Sequence, residues 1–294
     1  MKFIALIPFK NEEKYLPACL SSIVNVVDEI ICIDDGSTDR SKEIAESFGC
    51  KVYQNDQLQN VGWAEHHIRQ NLLSLGRKSG GTHFLCLDAD EALTYQFGII
   101  SRFLLPQINP GQNIRMQWLS LWKSPDHFRE DSSVWSRNFK DFIFADDGIC
   151  QYEYSFLHVS RTPVSDTAIV LKPEMGAILH YQFSDWESFN IKQADYRCSE
   201  LIKNPENYYG INEKYSITFQ NEDVFLMKVP ESCYWHITVP VFEESYIDWR
   251  YNRILGYFEE YGIEFFEKLQ IWHIDPLRKI FFNKTGRNPG ENNV

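Results

Sequence analysis

The first hundred residues alternate between short apolar runs and longer segments in which apolar positions recur at helical spacing. The apolar runs span residues 2–7, 29–33, 50–53 and 82–87. Uninterrupted runs of this length are typical of strands buried on both faces of a sheet. The intervening segments predict helices over residues 11–27, 39–48 and 63–77, with Asn11 offering the first N-cap. This alternation predicts an α/β fold with a mostly parallel central sheet.

The hydrophobic pattern is less regular after residue 110. Residues 115–122 alternate as in a half-buried strand, and residues 142–145 form a further apolar run. Ser184 and Glu187 fit a capping box that would begin a helix reaching residue 202. The aromatic segments that follow residue 242 and end near residue 282 predict a helical C-terminal extension.

Charge and cysteine usage exclude some classes of protein. The formal net charge of −12 argues against a nucleic-acid partner, because phosphate contacts require clustered lysines and arginines. The seven cysteines form no CxxC pair, a usage typical of a reducing compartment. The N-terminal apolar run is too short for a signal peptide, and no stretch approaches the roughly 18 apolar residues of a membrane span. We therefore expect a cytoplasmic protein.

Acidic residues follow two of the predicted strands. Asp34-Asp35 end the second strand, and Asp88-Ala89-Asp90-Glu91 follow the fourth. Ligands of open parallel sheets gather at the carboxyl ends of the strands, where these acids would face one crevice. Because their charges repel, a divalent cation with oxygen ligands, Mg²⁺ or Mn²⁺, is expected between them. Neither a G-x-G-x-x-G fingerprint nor a P-loop is present, and ordinary surface acids remain the alternative.

Four short motifs occur in order within the first hundred residues. They are residues 5–13 (ALIPFKNEE) with Leu16, residues 33–39 (IDDGSTD), Gly62 with Arg69 and Asn71, and residues 87–91 (LDADE). Together they resemble the family-two glycosyltransferases with the GT-A fold. One departure is Phe9-Lys10, where the family often has small or aromatic residues.

This resemblance implies a domain organisation. Residues 1–240 would form the GT-A domain, divided into a nucleotide-sugar-binding half (1–110) and an acceptor half (111–240). Residues 241–294 would form the helical extension.

The resemblance also implies nucleotide contacts. Pro8, Asn11 and Glu12 would lie along the nucleoside. Asp35 would accept a hydrogen bond from the base, which is expected to be uracil, and Arg69 would approach the base or the diphosphate.

The metal site follows from the same resemblance. Asp88 would hold the ribose or a metal-bound water, and Asp90 would ligate Mn²⁺ or Mg²⁺ directly. His180 would complete the site, although a lone histidine is as often structural. The step His180-Tyr181 resembles a subgroup that acts in bacterial lipopolysaccharide core and surface polysaccharide biosynthesis. Three further histidines are weaker candidates for phosphate or acceptor contact: His66, His67 and His158.

The general base is assigned by position. An inverting enzyme needs a carboxylate beside the acceptor hydroxyl, and Asp147, after the run 142–145, is chosen for this role. The pair Glu222-Asp223 is a later alternative. Related proteins carry a His-Glu step where this sequence has His158-Val159, a departure that leaves the base open.

The sequence thus predicts a metal-dependent, inverting glycosyltransferase that moves a sugar from a nucleotide donor, expected to be UDP-linked, to a saccharide or lipid-linked acceptor. A nucleotidyltransferase and a non-catalytic nucleotide-sugar-binding protein are the alternatives. The aromatic and basic C-terminal segment could contact a membrane surface peripherally. Packing of this segment as helices is the favoured interpretation.

Overall fold

A computed structural model describes residues 1–55, 65–153, 159–219, 224–241 and 248–290. Contacts between residues divide the chain into two compact units, one of residues 1–184 and 224–241 and the other of residues 185–223 and 242–294. A boundary at residue 240, as the sequence predicts, would place residues 185–223 in the first domain. In the structure, the helices of these residues pack within the second unit.

The first unit contains the strands. In chain order they are β1 (Phe3–Phe9), β2 (Glu29–Asp34), β3 (Lys51–Gln54), β4 (His83–Cys86), β5 (Glu91–Leu93), β6 (Asn113–Ser120), β7 (His127–Arg129), β8 (Asn138–Ala145), β9 (Ala168–Val170), β10 (Ala177–His180) and β11 (Leu226–Lys228). Its helices are α1 (Leu16–Ile23), α2 (Ser41–Ser47), α3 (Glu65–Lys78) and α4 (Tyr95–Leu104).

Nine strands form one mixed sheet in the order β3-β2-β1-β4-β8-β6-β10-β5, with β9 beside β6. Strands β1 to β4 are mutually parallel, and β6, β9 and β10 run in the same direction. Strands β8 and β5 run in the opposite direction. The expected mostly parallel α/β sheet is therefore confirmed. Strands β7 and β11 form a separate antiparallel pair.

Both faces of the central strands are buried, as the continuous apolar runs predict. Phe3 and Ala5 of β1 pack in the same cluster as Leu20 of α1. Ile4 of the same strand packs in a second cluster with Leu72 of α3. Because successive side chains of a strand point to opposite faces, α1 and α3 cover opposite faces of the sheet.

The first helix begins later than the sequence indicates. Its N-cap is Tyr15, so the assignment of Asn11 as the cap is wrong. Asn11 adopts a φ of 51°, and its side-chain oxygen accepts a hydrogen bond of 2.6 Å from the amide of Thr38. Asparagine tolerates this left-handed conformation. The hydrogen bond from Thr38 to Asn11 connects the loop after β2 to the loop after β1.

The second unit is helical and has its own core. Its helices are α5 (Trp186–Lys203), α6 (Tyr208–Lys214), α7 (Trp249–Tyr261) and α8 (Asp275–Thr285). Phe258, Phe266 and Phe281 are buried together in this core. The favoured interpretation, in which the aromatic C-terminal residues pack as helices, agrees with this burial. Across the described residues, the helices are all too short or too polar to cross a bilayer.

Helix α5 is capped by a different residue from the one that the capping box predicts. The Asp185 carboxylate accepts hydrogen bonds from the amides of Glu187 and Ser188. The hydroxyl of Ser184 donates instead to the carbonyl of Tyr181 at 2.6 Å. The start of this helix was predicted within two residues, but the N-cap is Asp185.

Candidate functional site

Asp35 lies at the carboxyl edge of the sheet, directly after β2. Its carboxylate is 1% exposed and accepts a 2.6 Å hydrogen bond from the Nδ2 of Asn55. The Nζ of Lys10 lies 3.6 Å from its other oxygen. A buried carboxylate needs such partners, and these two residues come from the loops that follow β1 and β3.

Backbone amides of the loop after β1 donate hydrogen bonds to serine hydroxyls of the segment that connects β2 to α2 and of the start of α2. The amide of Asn11 donates to the hydroxyl of Ser37 at 2.9 Å, and that of Glu12 donates to the hydroxyl of Ser41 at 2.8 Å. Pro8 lies within β1, opposite Ile33 of β2. The contacts of Pro8, Asn11 and Glu12 with a nucleotide remain predictions.

Asp88, the first residue after Leu87, is held between two arginines. Its Oδ1 accepts a 2.8 Å hydrogen bond from the Nη2 of Arg69, and its Oδ2 lies 2.5 Å from the Nη2 of Arg161. Arg69 is 3% exposed and also bonds Glu65, four residues earlier on α3. Burial raises the pKa of Asp88, but the two arginines outweigh it and hold that pKa well below its usual range. Asp88 is therefore ionised at neutral pH.

Glu91 lies beneath this cluster, at the start of β5, and has no exposed surface. Its Oε1 accepts a 2.8 Å hydrogen bond from Arg161, and its Oε2 accepts one from the amide of Asp88. Burial raises the pKa of Glu91 to about 7, and the charge of Arg161 opposes that rise. Arg161 thus bridges two carboxylates with opposite pKa shifts: the pKa of Asp88 is lowered, and the pKa of Glu91 is raised.

Asp90 and His180 meet because the acidic motif connects β4 to β5. Strand β5 pairs with β10 on the far side of β8 and β6, and Glu91 is directly opposite His180 in that pairing. The Nε2 of His180 lies 3.7 Å from the Oδ2 of Asp90, and both side chains are at most 10% exposed. The His180 ring is stacked on Trp118 with a centroid distance of 4.1 Å and an interplanar angle of 21°. The ring is thereby fixed in orientation beside the carboxylate.

The donor set of Asp90 and His180 suits a divalent cation. Their separation of 3.7 Å exceeds a hydrogen bond, whereas two ligands that are each about 2.1 Å from one ion lie roughly 3 to 4 Å apart. A carboxylate oxygen and an imidazole nitrogen are ligands that Mn²⁺ accepts. Asp88 is directed to Arg69 and Arg161, so its expected role as a metal ligand has less support than that of Asp90.

Asp147 lies at the opposite edge of the sheet. Strand β8 is antiparallel to β4, and Ala145 at its end pairs with His83 at the beginning of β4. Asp88 follows the other end of β4, about 16 Å away at the usual rise per residue. The exposed Asp147 accepts hydrogen bonds from the amides of Ile149 and Cys150. This placement contradicts its assignment as the general base.

The remaining candidates lie outside the cluster or outside the described residues. His66 is buried and His67 exposed at the start of α3, with their rings 3.9 Å apart. Asp147 lies close to Asp146 and Cys150, and their ligand atoms are within 4.8 Å of one another, at the edge away from Asp90. Gly62, His158, Glu222 and Asp223 fall outside the residues that the structure describes.

Two residues of the cluster were not predicted from the sequence. Arg161 is in a segment without a regular hydrophobic pattern, where nothing in the sequence distinguishes it from other arginines. Glu65 precedes Arg69 by four residues, a spacing that favours an ion pair on one helix face. That spacing is the signal that could have identified Glu65.

Comparison with known proteins agrees with the motifs in the first part of the chain. Residues 4–97 match the sequence model of Glycosyl transferase family 2. An uncharacterized glycosyltransferase of Rickettsia bellii is 41% identical over 96 residues, which are 32% of this chain and 29% of that protein. A TPR repeat-containing protein of Synechococcus elongatus is 36% identical over 84 residues, 29% of this chain and 19% of that protein. The matches thus span less than a third of these relatives.

Among solved structures, the crystal structure of S. aureus TarS 1–349 is 14% identical, with a TM-score of 0.42 over 97% of this chain and 87% of that chain. The sheet order and the family match together confirm the expected α/β fold of the GT-A type with helical residues toward the C-terminus. The resemblance of residues 4–97 to Glycosyl transferase family 2 is therefore confirmed, and its narrower subgroup is not.

Proposed function

We propose that this protein is a metal-dependent glycosyltransferase. It would transfer a sugar from a nucleotide-diphosphate donor, expected to be a UDP-sugar, to a saccharide or lipid-linked acceptor, with inversion at the anomeric carbon. The observation that supports this most is the 3.7 Å approach of Asp90 to His180 at the sheet edge that also carries Asp35. The match of residues 4–97 to Glycosyl transferase family 2 supports the same reaction class.

The chain's own residues would divide the work along the sheet edge. Asp35, held by Asn55, would accept a hydrogen bond from the base at the β2 end. Asp90 and His180 would hold Mn²⁺ or Mg²⁺, which supplies Lewis-acid stabilisation of the diphosphate leaving group. Arg69, fixed by Glu65, would keep Asp88 oriented toward the ribose. Because the cluster is buried and already paired, this arrangement would be preorganised before the donor binds.

Turnover of a panel of UDP-sugars tests this proposal. We expect Mn²⁺-dependent release of UDP by the wild-type protein and a loss of at least about a hundredfold for Asp90→Ala, in the range of one removed electrostatic group. Asp147→Ala is the matched control, since it removes a carboxylate from the opposite edge of the sheet and should leave turnover within about twofold. Turnover that is independent of Mn²⁺, or equal loss in both variants, would contradict the assignment.

The other reaction classes give different outcomes in the same assay. A nucleotidyltransferase would release pyrophosphate from a nucleoside triphosphate and leave UDP-sugars intact. A non-catalytic binding protein would bind UDP-sugars without releasing UDP from any of them. The link to lipopolysaccharide or surface polysaccharide biosynthesis, and a peripheral contact with the cytoplasmic face of the membrane, remain predictions about the acceptor.

A further inference from the structure

Arg197, on α5 in the second unit, is a buried arginine without an ionic partner. Its side chain has no exposed surface. Its Nη2 donates hydrogen bonds to the carbonyl of Tyr215 at 2.5 Å and to the hydroxyl of Thr218 at 3.1 Å. Across the described residues, its Nε and Nη1 have no hydrogen-bond partner, and no carboxylate oxygen lies within 4.0 Å of its guanidinium nitrogens. Two of its three nitrogens thus lack an acceptor.

The charge of Arg197 is also uncompensated at longer range within the described part of the chain. Burial lowers the pKa of Arg197 to about 10, and the groups that oppose this shift are the side chains of Tyr215 and Cys198. Burial raises the pKa of both groups, so both are neutral at pH 7. Asp195, on the same helix, accepts two hydrogen bonds from Arg253 instead. Because a buried cation without a counter-ion is costly, Arg197 favours an anion at any nearby position that a ligand can reach.

Room for such an anion exists in a groove beside Arg197. The Cζ of Arg197 is 5.7 Å from the centroid of the Phe219 ring, which meets the His273 ring edge-on at 4.7 Å. Phe219 and His273 are in the wall of a groove of about 680 Å³, here called the second-unit groove. Partial burial lowers the pKa of His273, and the charge of Arg197 lowers it further. Arg197 thus lies behind the wall of the second-unit groove, and its positive potential reaches a ring of that wall.

Two exposed basic side chains, Lys268 and Arg278, also line the second-unit groove. The Nζ of Lys268 lies 4.7 Å from the centroid of the Tyr208 ring, and this ammonium forms no ion pair with a described residue. Arg278 pairs with Asp275 at 2.5 Å, but the two side chains are 53% and 64% exposed. A surface pair of this kind contributes little, so an anion in the groove can compete with Asp275 for Arg278.

Glu267 supplies the one carboxylate of the lining among the described residues, and Arg287 neutralises it. The Nη2 of Arg287 donates a 2.8 Å hydrogen bond to the Oε2 of Glu267, and its Nη1 donates to the Oε1. The hydrogen bonds from Arg287 hold the pKa of Glu267 below its usual range. The charge that is left over at the second-unit groove is therefore positive, in a chain whose net charge is −12.

Aromatic rings give the second-unit groove an apolar wall of fixed orientation. Trp272 is partly buried and stacks on Phe258 with a centroid distance of 5.7 Å. Its Nε1 donates a 2.9 Å hydrogen bond to the carbonyl of Glu267. Phe219, on the same lining, is 39% exposed. The groove thus has the size of a small-molecule site and combines apolar rings with a few charged donors.

We propose that the second-unit groove binds the phosphate group of a small soluble molecule. Lys268 and Arg278 would donate hydrogen bonds to the phosphate oxygens, and Arg197 would strengthen binding from behind the wall. Phosphate fits these groups because it carries up to two negative charges and several acceptor oxygens. Trp272 and Phe219 would cover the carbon skeleton of the ligand. The site lies in the helical unit and does not depend on the proposed glycosyl transfer.

Titration with soluble anions at constant ionic strength tests the site. The probes are inorganic phosphate, glucose 6-phosphate and acetate, each added to the full-length protein. The readout is the indole N–H signal of Trp272 in ¹H–¹⁵N spectra, assigned with Trp272→Phe. We expect phosphate to shift this signal with a dissociation constant on the order of 1 to 10 mM, glucose 6-phosphate to bind more tightly and acetate more weakly. An unmoved signal with both phosphates, or acetate binding as tightly as phosphate, would overturn the proposal.

Variants of the exposed basic residues localise the binding. Lys268→Gln and Arg278→Gln should each weaken the binding of glucose 6-phosphate by about tenfold, as for a lost charge-assisted hydrogen bond. Lys284→Gln, at an exposed lysine of α8 outside the lining, should have no effect. Wild-type affinity in both Lys268→Gln and Arg278→Gln would contradict the site.

The contribution of Arg197 is tested by its charge. Arg197→Lys should retain most of the affinity, and Arg197→Met should weaken binding by roughly threefold or more. A folded Arg197→Met protein with wild-type affinity would show that this charge plays no part. If Arg197→Met does not fold, the variants of Lys268 and Arg278 still decide the site, because both side chains are exposed.

Vesicles of phosphatidylcholine with and without phosphatidic acid separate a lipid phosphate from a soluble one. Binding to phosphatidic acid that Lys284→Gln weakens as much as Lys268→Gln, without a Trp272 shift by the soluble phosphates, would identify a charged membrane surface and overturn the groove. A failure of UDP-sugar turnover would leave these results unchanged, because the readout is the Trp272 signal and not activity.

Discussion

The Nη2 of Arg161 donates a 2.8 Å hydrogen bond to Glu91, a carboxylate without exposed surface. Arg161 reaches this residue from a loop, while Glu91 begins a strand of the central sheet. The pair connects a segment of irregular sequence to the strand that carries the acidic motif. Loss of Arg161 would leave the charge of Glu91 buried without its cation, whereas loss of Glu91 would leave Arg161 paired with Asp88.

Arg161→Met should therefore destabilise the protein by about 3 kcal/mol at pH 8. The remaining Glu91 would be buried without its cation, and its pKa, already raised by burial, would rise further. A folded state that binds more protons than the unfolded state loses stability as pH increases. We expect the stability of Arg161→Met, measured by urea unfolding, to fall more steeply than that of wild type from pH 5 to pH 8. The double variant with Glu91→Gln should lack this slope; equal slopes in wild type and Arg161→Met would contradict the pairing.

Glu29 should contribute stability that is lost in acid. Burial raises its pKa, but hydrogen bonds from Lys2 and Lys51 outweigh burial and hold that pKa at about 2. A lowered folded-state pKa stabilises the protein above the unfolded value of 4.5, and the stabilisation disappears as pH falls toward 2. Glu29→Gln should cost about 1 to 3 kcal/mol at pH 7 and flatten the acid limb of the stability curve. Glu46→Gln, at an exposed site on α2, should leave the curve unchanged, and an unaltered acid limb in Glu29→Gln would refute this role.

Any side chain at Gly176 should lower the stability of the protein. Its φ is +151°, and an added Cβ would approach the Cβ of buried Phe97 to 2.7 Å. Gly176→Ala should cost about 2 to 3 kcal/mol in thermal unfolding, from backbone strain together with overpacking. Gly49, with φ +77° and open space around it, separates the two causes, since Gly49→Ala should cost about 1 kcal/mol from strain alone. Equal losses in the two variants would show that contact with Phe97 contributes nothing.

The strands near the N-terminus were predictable because their signal is local. A run such as residues 2–7 is apolar at every position, and burial on both faces of β1 follows directly. Because β2 and β4 are both parallel to β1, the polar residues that follow these strands lie at the same edge of the sheet. Asp35 and Asp88 are therefore at that shared edge. The irregular segment around Arg161 offers no comparable local signal.

Strand direction explains the error at Asp147. An apolar run is the same whether its strand is parallel or antiparallel, so residues 142–145 did not show which edge they approach. The direction of β8 is set by its pairing with β4 and β6, contacts between residues distant in sequence. The caps at Tyr15 and Asp185 differ from the predicted ones for a related reason: Asn11 and Ser184 form other hydrogen bonds in the fold.

Calorimetric titration with UDP, with and without Mn²⁺, tests the central claim most directly. If Asp90 and His180 hold the cation that binds the donor diphosphate, wild-type protein should bind UDP at least about tenfold more tightly with Mn²⁺. Asp90→Asn should lose most of that gain, and Asp147→Asn should keep it. Equal UDP affinity with and without Mn²⁺ in the wild-type protein, or an Mn²⁺ effect that Asp90→Asn retains in full, would contradict the account.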